Sequence, residues 1–340
     1  MCLSDLFDPD GIAVVGASAT PGKLGNDAMS NVEAYDGEVY PVNPLGSGTV
    51  YDYEFIESIA ETDADLALCC VPRHVQPQVL EECGEAGVGA AVIFAGGFAE
   101  TDGEGQELQD EIAAIADEYK ITVLGPNTAG YAIPQDDLYG SFIPRIHEVG
   151  SGNVGIAAQS AGVAITLSFH LTREGYGVSA MFGLGNRVHT EFADVIPALD
   201  EDPRTEAIVL HVEGTVVVET LLAVCREAET PIVAYTVGEH DVADAPALDG
   251  PNVDAVARDE NVDVVLVYEI YDDSLGYPVD ELEALSADLD KPILLTVAGP
   301  HEALREERER MEAFGIPTFD TPERGARAVA ALIRSISGGE

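Results

Sequence analysis

Short apolar runs alternate with longer amphipathic stretches along the whole chain. The first run, Ile12–Gly16, predicts a buried strand, and Asn26–Tyr35 begins the helix after it. Gly37–Asn43 predicts a second strand and Tyr53–Glu61 a short helix. Leu66–Val71, Ala90–Phe94 and Thr122–Leu124 predict the next three strands. Val75–Gly87 and Glu104–Tyr119 are the helices between them, the latter with Leu108, Ile112, Ile115 and Ala116 as its apolar positions. Val149–Asn153 (VGSGN) reads as a linker. A second alternation follows, with strands Val154–Ala158, Val178–Gly183, Ala207–Val212 and Pro231–Val237. Helices Val163–Glu174, Glu191–Leu199 and Val218–Ala228 separate them. Residues 262–334 form a third group, closing in helix Glu302–Phe314, with Leu304 and Met311 inward, and helix Glu323–Ile333. Strands separated by helices of this length predict an α/β fold of parallel sheets with right-handed crossovers.

Each strand of the first group ends in a turn rich in Gly, Asn or Pro: GAS, VNP, VPR, AGGF and GPNT. Ligands of open parallel sheets bind at the carboxyl ends of the strands, so the five turns predict one crevice. Backbone N–H groups of Gly16–Ser18 and Lys23–Gly25 are placed to cradle a phosphate at a helix start. The alternative is a purely structural strand–helix corner. A nicotinamide dinucleotide fits poorly. The glycine spacing departs from G-x-G-x-x-G, and the second strand ends in Pro41–Val42–Asn43–Pro44 with no acid for the ribose hydroxyls.

Charge narrows the picture. The 340 residues carry 62 acids against 16 bases, a formal net charge of −46, and the acids are scattered. Such a layer suits a high-salt cytoplasm, where counter-ions screen the repulsion, and it opposes nucleic-acid binding. Only three bases are lysines: Lys23, Lys120 and Lys291. The cysteines Cys2, Cys69, Cys70, Cys83 and Cys225 show no metal spacing, and Cys69 and Cys70 lie inside an apolar strand. With no signal peptide and no long apolar run, the expectation is a cytoplasmic protein off the membrane.

GIAVVGASATPGKLG, VYPVNP, CCVPR, CGEAGV, AGGFAE and LGPNTAG together resemble the CoA-binding domain of the NDP-forming acyl-CoA synthetases. That family includes the α subunits of ADP-forming acetyl-CoA synthetase and succinyl-CoA synthetase. The resemblance implies coenzyme A in a Rossmann-like domain over residues 1–145. Ser18, Gly22 and Lys23 would face its phosphates, with Gly16 and Gly25 shaping the turn. Asn43, Val71, Pro72, Gly96 and Asn127 would line the cleft. Thr128 stands where the family often has Cys.

AAQSAGVAITL, GLGNRVHTEFADVIPALDEDP and VLHVEG resemble the family's second, flavodoxin-like (succinyl-CoA synthetase-like) domain, here residues 151–240. By that resemblance Ser160 and Gly162 form the turn, and Glu213 is the glutamate, of a site where a histidine is phosphorylated. The family's Ser-His-Thr-Gly-Ala segment is absent. A gapless alignment puts Asp244 in the place of its histidine, and His240 is the only histidine nearby, either at the site or merely exposed. His211 lies within an apolar strand and reads as a core residue. Residues 241–336 resemble a truncated third α/β unit, sharing a sheet with the second. The ATP-grasp portion is missing, so a separate β subunit is the implied partner, in a homo- or hetero-oligomer. Three functions follow: the CoA-binding α-like part of an ADP-forming acetate–CoA ligase, a CoA or acyl-CoA binding regulator without ligase activity, and, last, a nicotinamide oxidoreductase.

Overall fold

The computed structural model describes residues 3–213, 218–237, 258, 262–270, 279–289, 291–298, 305–319 and 322–337. The chain packs as two compact units, Met1–Glu206 and Ala207–Glu340. His240 and Asp244 lie outside the described residues.

The first unit opens with α1 (Ser4–Phe7), β1 (Gly11–Val15), α2 (Leu24–Asn31) and β2 (Glu38–Val42). A small antiparallel hairpin follows, β3 (Thr49–Val50) with β4 (Tyr53–Glu54). Then come β5 (Leu66–Cys69), α3 (Gln76–Ala86), β6 (Ala90–Ile93), α4 (Gly103–Tyr119) and β7 (Thr122–Leu124). The strands order as β2-β1-β5-β6-β7, parallel throughout. Every residue of β1, β5, β6 and β7 is buried, as expected of a parallel sheet covered on both faces. On one face Ala13, Ala67, Leu80, Ile93, Phe98 and Ile112 share a core. Helix ends follow local chemistry. The Asp102 carboxylate accepts the Gly105 N–H at 2.9 Å to start α4, and Gly87, at φ +87°, ends α3.

The unit continues through β8 (Tyr131–Ala132), β9 (Ser151–Ala158), α5 (Ala161–Arg173), β10 (Val178–Gly183) and α6 (Phe192–Glu201). β10 pairs in parallel with β9 and antiparallel with β8. Two sequence expectations are corrected. The expected helix over Tyr53–Glu61 is instead β4 and a single 3₁₀ turn, Ile59–Glu61, because Tyr51 and Asp52 take left-handed conformations that close a hairpin. The expected linker is in part strand, since β9 starts at Ser151. Close packing at this strand requires glycine: a Cβ on Gly152 would lie 1.9 Å from the Tyr176 carbonyl, and one on Gly177, opposite it, 2.2 Å from the Ser151 carbonyl.

The second unit comprises β11 (Ala207–Glu213), α7 (Val218–Glu227), β12 (Ile232–Val237), β13 (Val262–Ile270), α8 (Val279–Asp288), β14 (Ile293–Ala298), α9 (Arg305–Ala313), β15 (Thr318–Phe319) and α10 (Pro322–Ser337). Its strands run β11-β12-β13-β14-β15, all parallel. Val233, Val264, Leu266, Leu294 and Val329 form one core cluster. Met311 is fully buried, as its helical position predicts; Leu304 lies outside the described residues. No described helix is long and apolar enough to cross a membrane.

The β1–α2 corner carries a close-packing requirement at one glycine and not at its neighbour. A Cβ on Gly25 would sit 2.1 Å from the Gly16 carbonyl oxygen, whereas one on Gly22, at φ +77°, meets nothing within 4 Å. Gly25→Ala should therefore cost about 3 kcal/mol or more from forced backbone displacement. Gly22→Ala should cost only about 1 kcal/mol, for its left-handed conformation. Urea midpoints of both variants check this; equal losses would refute it.

Candidate functional site

The turns at the carboxyl ends of the first sheet are bonded to one another in the order of their strands. At the β2 end, the Gly16 N–H donates to the Val42 carbonyl at 2.8 Å, and Asn43 Nδ2 donates to the Ala17 carbonyl at 2.8 Å. Asn26, on α2, donates from Nδ2 to the Ser18 carbonyl at 2.9 Å, and the Tyr51 hydroxyl donates to Asn26 Oδ1 at 3.1 Å. The β5 turn presses on the other side: a Cβ on Gly16 would lie 2.8 Å from the Cys70 carbonyl oxygen and 2.9 Å from Val71 Cγ1. Gly16 itself is at φ +89°, so this position excludes a side chain on both counts. Next, Arg73 donates from Nη1 to the Gly97 carbonyl. Last, the Asn127 N–H donates to the Ala95 carbonyl at 2.9 Å, and Asn127 Oδ1 stands 2.9 Å from where a Gly96 Cβ would be.

Gly16, Ser18, Gly25, Asn43, Val71, Gly96 and Asn127 are thereby drawn onto one rim, with Gly22 and Pro72 beside them. Lys23 is exposed at the start of α2, where no side chain caps the helix. A helix start and a lysine together favour an anion. The alternative hollow, a groove of about 470 Å³ between α3 and α4, is lined by the carboxylates Glu81, Glu104 and Glu111 as well as Arg73 and His74. Those acids oppose a phosphate-bearing ligand, which leaves the rim as the candidate site.

Ser160 begins α5, its Oγ accepting the Val163 N–H at 3.4 Å. Residues 184–187 join this turn to the rim. The Gly185 N–H donates to the Gln159 carbonyl at 3.1 Å, and the Asn186 N–H donates to the Pro126 carbonyl at 2.9 Å. In the second unit, Glu213 ends β11, half-buried, and desolvation raises its carboxyl above the ordinary value. His211, two residues earlier, is 2% exposed and approaches Glu213 Oε1 with Nε2 at 3.4 Å. Burial holds the imidazole down at about 4, so at neutral pH it is uncharged and the contact is not an ion pair.

Residues 10–134 match the family described as CoA binding domain, and residues 151–251 the one described as succinyl-CoA ligase like flavodoxin domain. Over 250 residues, 71% of this chain and 54% of the relative, the sequence is 32% identical to the acetate–CoA ligase (ADP-forming) I subunit alpha of Pyrococcus furiosus. The corresponding II subunit alpha is 33% identical over 70% of this chain and 52% of its own length. The chain belongs to the NDP-forming acyl-CoA synthetase family. Its aligned part spans about half the length of these two family members. Two solved structures share the fold. One is a Pyrococcus horikoshii protein (TM-score 0.68, 23% identity, 98% of both chains). The other is the apo dinucleotide forming acetyl-coenzyme A synthetase 1 of Ca. Korarchaeum cryptofilum (TM-score 0.67, 22% identity, 98% of this chain and 97% of that one).

Within this acyl-CoA synthetase frame, sequence reasoning overlooked Asn26, Tyr51, Arg73 and Asn186, which tie the loops together. The only signal available was that Arg73 and Asn186 sit inside the quoted strings VPR and GLGNR. The buried imidazole yields a test of the second unit. Because its folded pKa is below the ordinary 6.5, the unfolded chain takes up the proton first as pH falls. Stability drains away between about pH 6.5 and 4, by at most about 3 kcal/mol. His211→Leu should flatten this part of the pH dependence in urea melts at pH 7 and 5; a variant as acid-sensitive as the parent would contradict the assignment.

Proposed function

We propose that this chain is the CoA-binding, α-subunit-like part of an ADP-forming acyl-CoA synthetase of the acetate–CoA ligase type. The observation that carries the reading is the continuous rim of strand-end turns, with Lys23 and the uncapped start of α2 at its β1 corner. Ser18, Gly22 and Lys23 face the phosphates of CoA. Asn43, Val71, Pro72, Gly96 and Asn127 line the cleft for the rest of the molecule. In the synthesis direction the CoA thiol attacks the carbonyl carbon of an acyl phosphate. The C–S bond forms, the C–O bond to phosphate breaks, the thiol proton leaves to solvent or a base, and inorganic phosphate departs.

The turn at Ser160 offers the start of α5 to that phosphate. Glu213 takes the part of the family's glutamate in the phosphoryl-transfer step, and desolvation raises its carboxyl above the ordinary value. Nucleotide chemistry belongs to a separate ATP-grasp subunit. The sequence lacks the family's Ser-His-Thr-Gly-Ala segment, which favours a second reading: a CoA or acyl-CoA binding regulator without ligase activity.

Calorimetric titration with CoA and with NADH tests the binding step, in low-salt buffer and in molar KCl. CoA should bind and NADH should not. Lys23→Ala should weaken CoA about ten-fold at low salt, through a lost charge-assisted contact, and by less in KCl, where the exposed charge is screened. Tight NADH binding without CoA binding would overturn the reading. Labelled inorganic phosphate, supplied with acetyl-CoA and an ATP-grasp partner, then separates the two functions. Label on the chain supports the ligase, and CoA binding without label supports the regulator.

A further inference from the structure

Four polar side chains from neighbouring segments meet at the β7 end of the rim: Glu100, Gln109, Asn127 and Asn186. Glu100 folds back on its own turn. Its Oε1 accepts the Gly97 N–H and its Oε2 accepts the Phe98 N–H at 3.1 Å. Asn186 Nδ2 donates to Glu100 Oε2 at 2.5 Å and to Gln109 Oε1 at 2.9 Å. Its Oδ1 accepts from Asn127 Nδ2 at 3.3 Å. The Asn186 side chain thus uses its acceptor and its donors together, which fixes its orientation. Its backbone is held as firmly. Gly185 and Arg187 on either side are left-handed, and a Cβ on Gly185 would lie 2.3 Å from the Pro126 carbonyl oxygen.

A carboxylate on the rim of a phosphate-binding crevice, in so acidic a chain, calls for a reason. Glu100 has one. Burial alone pushes its carboxyl up, but hydrogen bonds from Asn186 and from the backbone N–H groups of Gly97, Glu100 and Phe98 outweigh that and hold it below the ordinary value. Its two oxygens accept from three of the protein's own donors, Gly97 N–H, Phe98 N–H and Asn186 Nδ2.

We infer that Glu100 and Asn186 form a latch that positions the Gly96 and Asn127 turns of the CoA crevice against the Ser160 turn. Glu100 shapes the Gly96–Phe98 turn. Asn186 joins that turn to Asn127, and Gly185, its neighbour, reaches Gln159 beside Ser160. Both are positioning residues, and the inference rests on the CoA reading above.

A donor–acceptor swap tests it. CoA titrations and thermal melts are run on the full chain and on Glu100→Gln, Asn186→Asp and the double variant. Each single change removes a charge-assisted bond and should weaken CoA about ten-fold. Asn186→Asp should be the worse, because it sets two carboxylates against each other. In the double variant the amide now at position 100 can donate to the carboxylate now at position 186, while the Phe98 N–H and Gln109 Oε1 lose their partners, so affinity should recover part of the way, to well above that of Asn186→Asp alone. A group that merely supported the fold would give losses that follow the melting temperature and no rescue.

Singles that bind CoA like the parent, or a double variant as weak as the two losses combined, overturn the latch while leaving the CoA reading intact. A parent chain that fails to bind CoA overturns both. Should Asn186→Asp melt far below the parent, amide exchange of Gly97 and Phe98 in Glu100→Gln decides. Faster exchange together with weaker CoA binding supports the latch, and unchanged exchange refutes it.

Discussion

The carbonyl of Gly16 faces α2 across a gap that admits no side chain at residue 25. That approach sets where α2 begins, and so where Lys23 and the first-turn N–H groups stand. The same residue bonds to the β2 turn through its N–H and packs against the β5 turn through its Cα. Buried or half-buried backbone groups at strand ends must find partners. Here the partners are the neighbouring turns, so the rim is continuous from Asn43 to Asn186. A ligand lying along it meets one surface rather than five independent loops.

That arrangement explains how a chain of net charge −46 can offer a place to an anion. The excess acid is scattered along the chain, and salt screens exposed charges of this kind. Along the rim stand backbone N–H groups, amide side chains, Lys23, Arg73 bonded to the Gly97 carbonyl, and a carboxylate that accepts from the protein's own donors. The α3–α4 groove, although hollow, keeps three acids at its walls. Local chemistry rather than concavity decides between them.

Much of this was readable from residues. The parallel sheet follows from unbroken apolar runs such as Leu66–Cys69 and Ala90–Ile93, which stay buried throughout, and the crevice from the turns that end them. His211 was legible as core because it interrupts an apolar strand, and it is buried. The failures share one cause. Val149–Asn153 read as a linker and Tyr53–Glu61 as a helix because composition and periodicity say nothing of close backbone approach. In fact Gly152 is required by the Tyr176 carbonyl and the hairpin by left-handed Tyr51 and Asp52. Glu100 and Asn186 were hidden for a related reason: they lie 86 positions apart, and only the folded sheet brings them together.

CoA lying along the strand-end rim would shield the turns that form it. Hydrogen–deuterium exchange of the full chain, with and without saturating CoA, tests it most directly. Slowed exchange is expected in segments 16–25, 43–46, 71–73, 96–100 and 125–128, with little change on the outer faces of α3 and α4. Protection centred on the groove lined by Glu81, Glu104 and Glu111, or CoA binding that leaves the five turns unchanged, would contradict it.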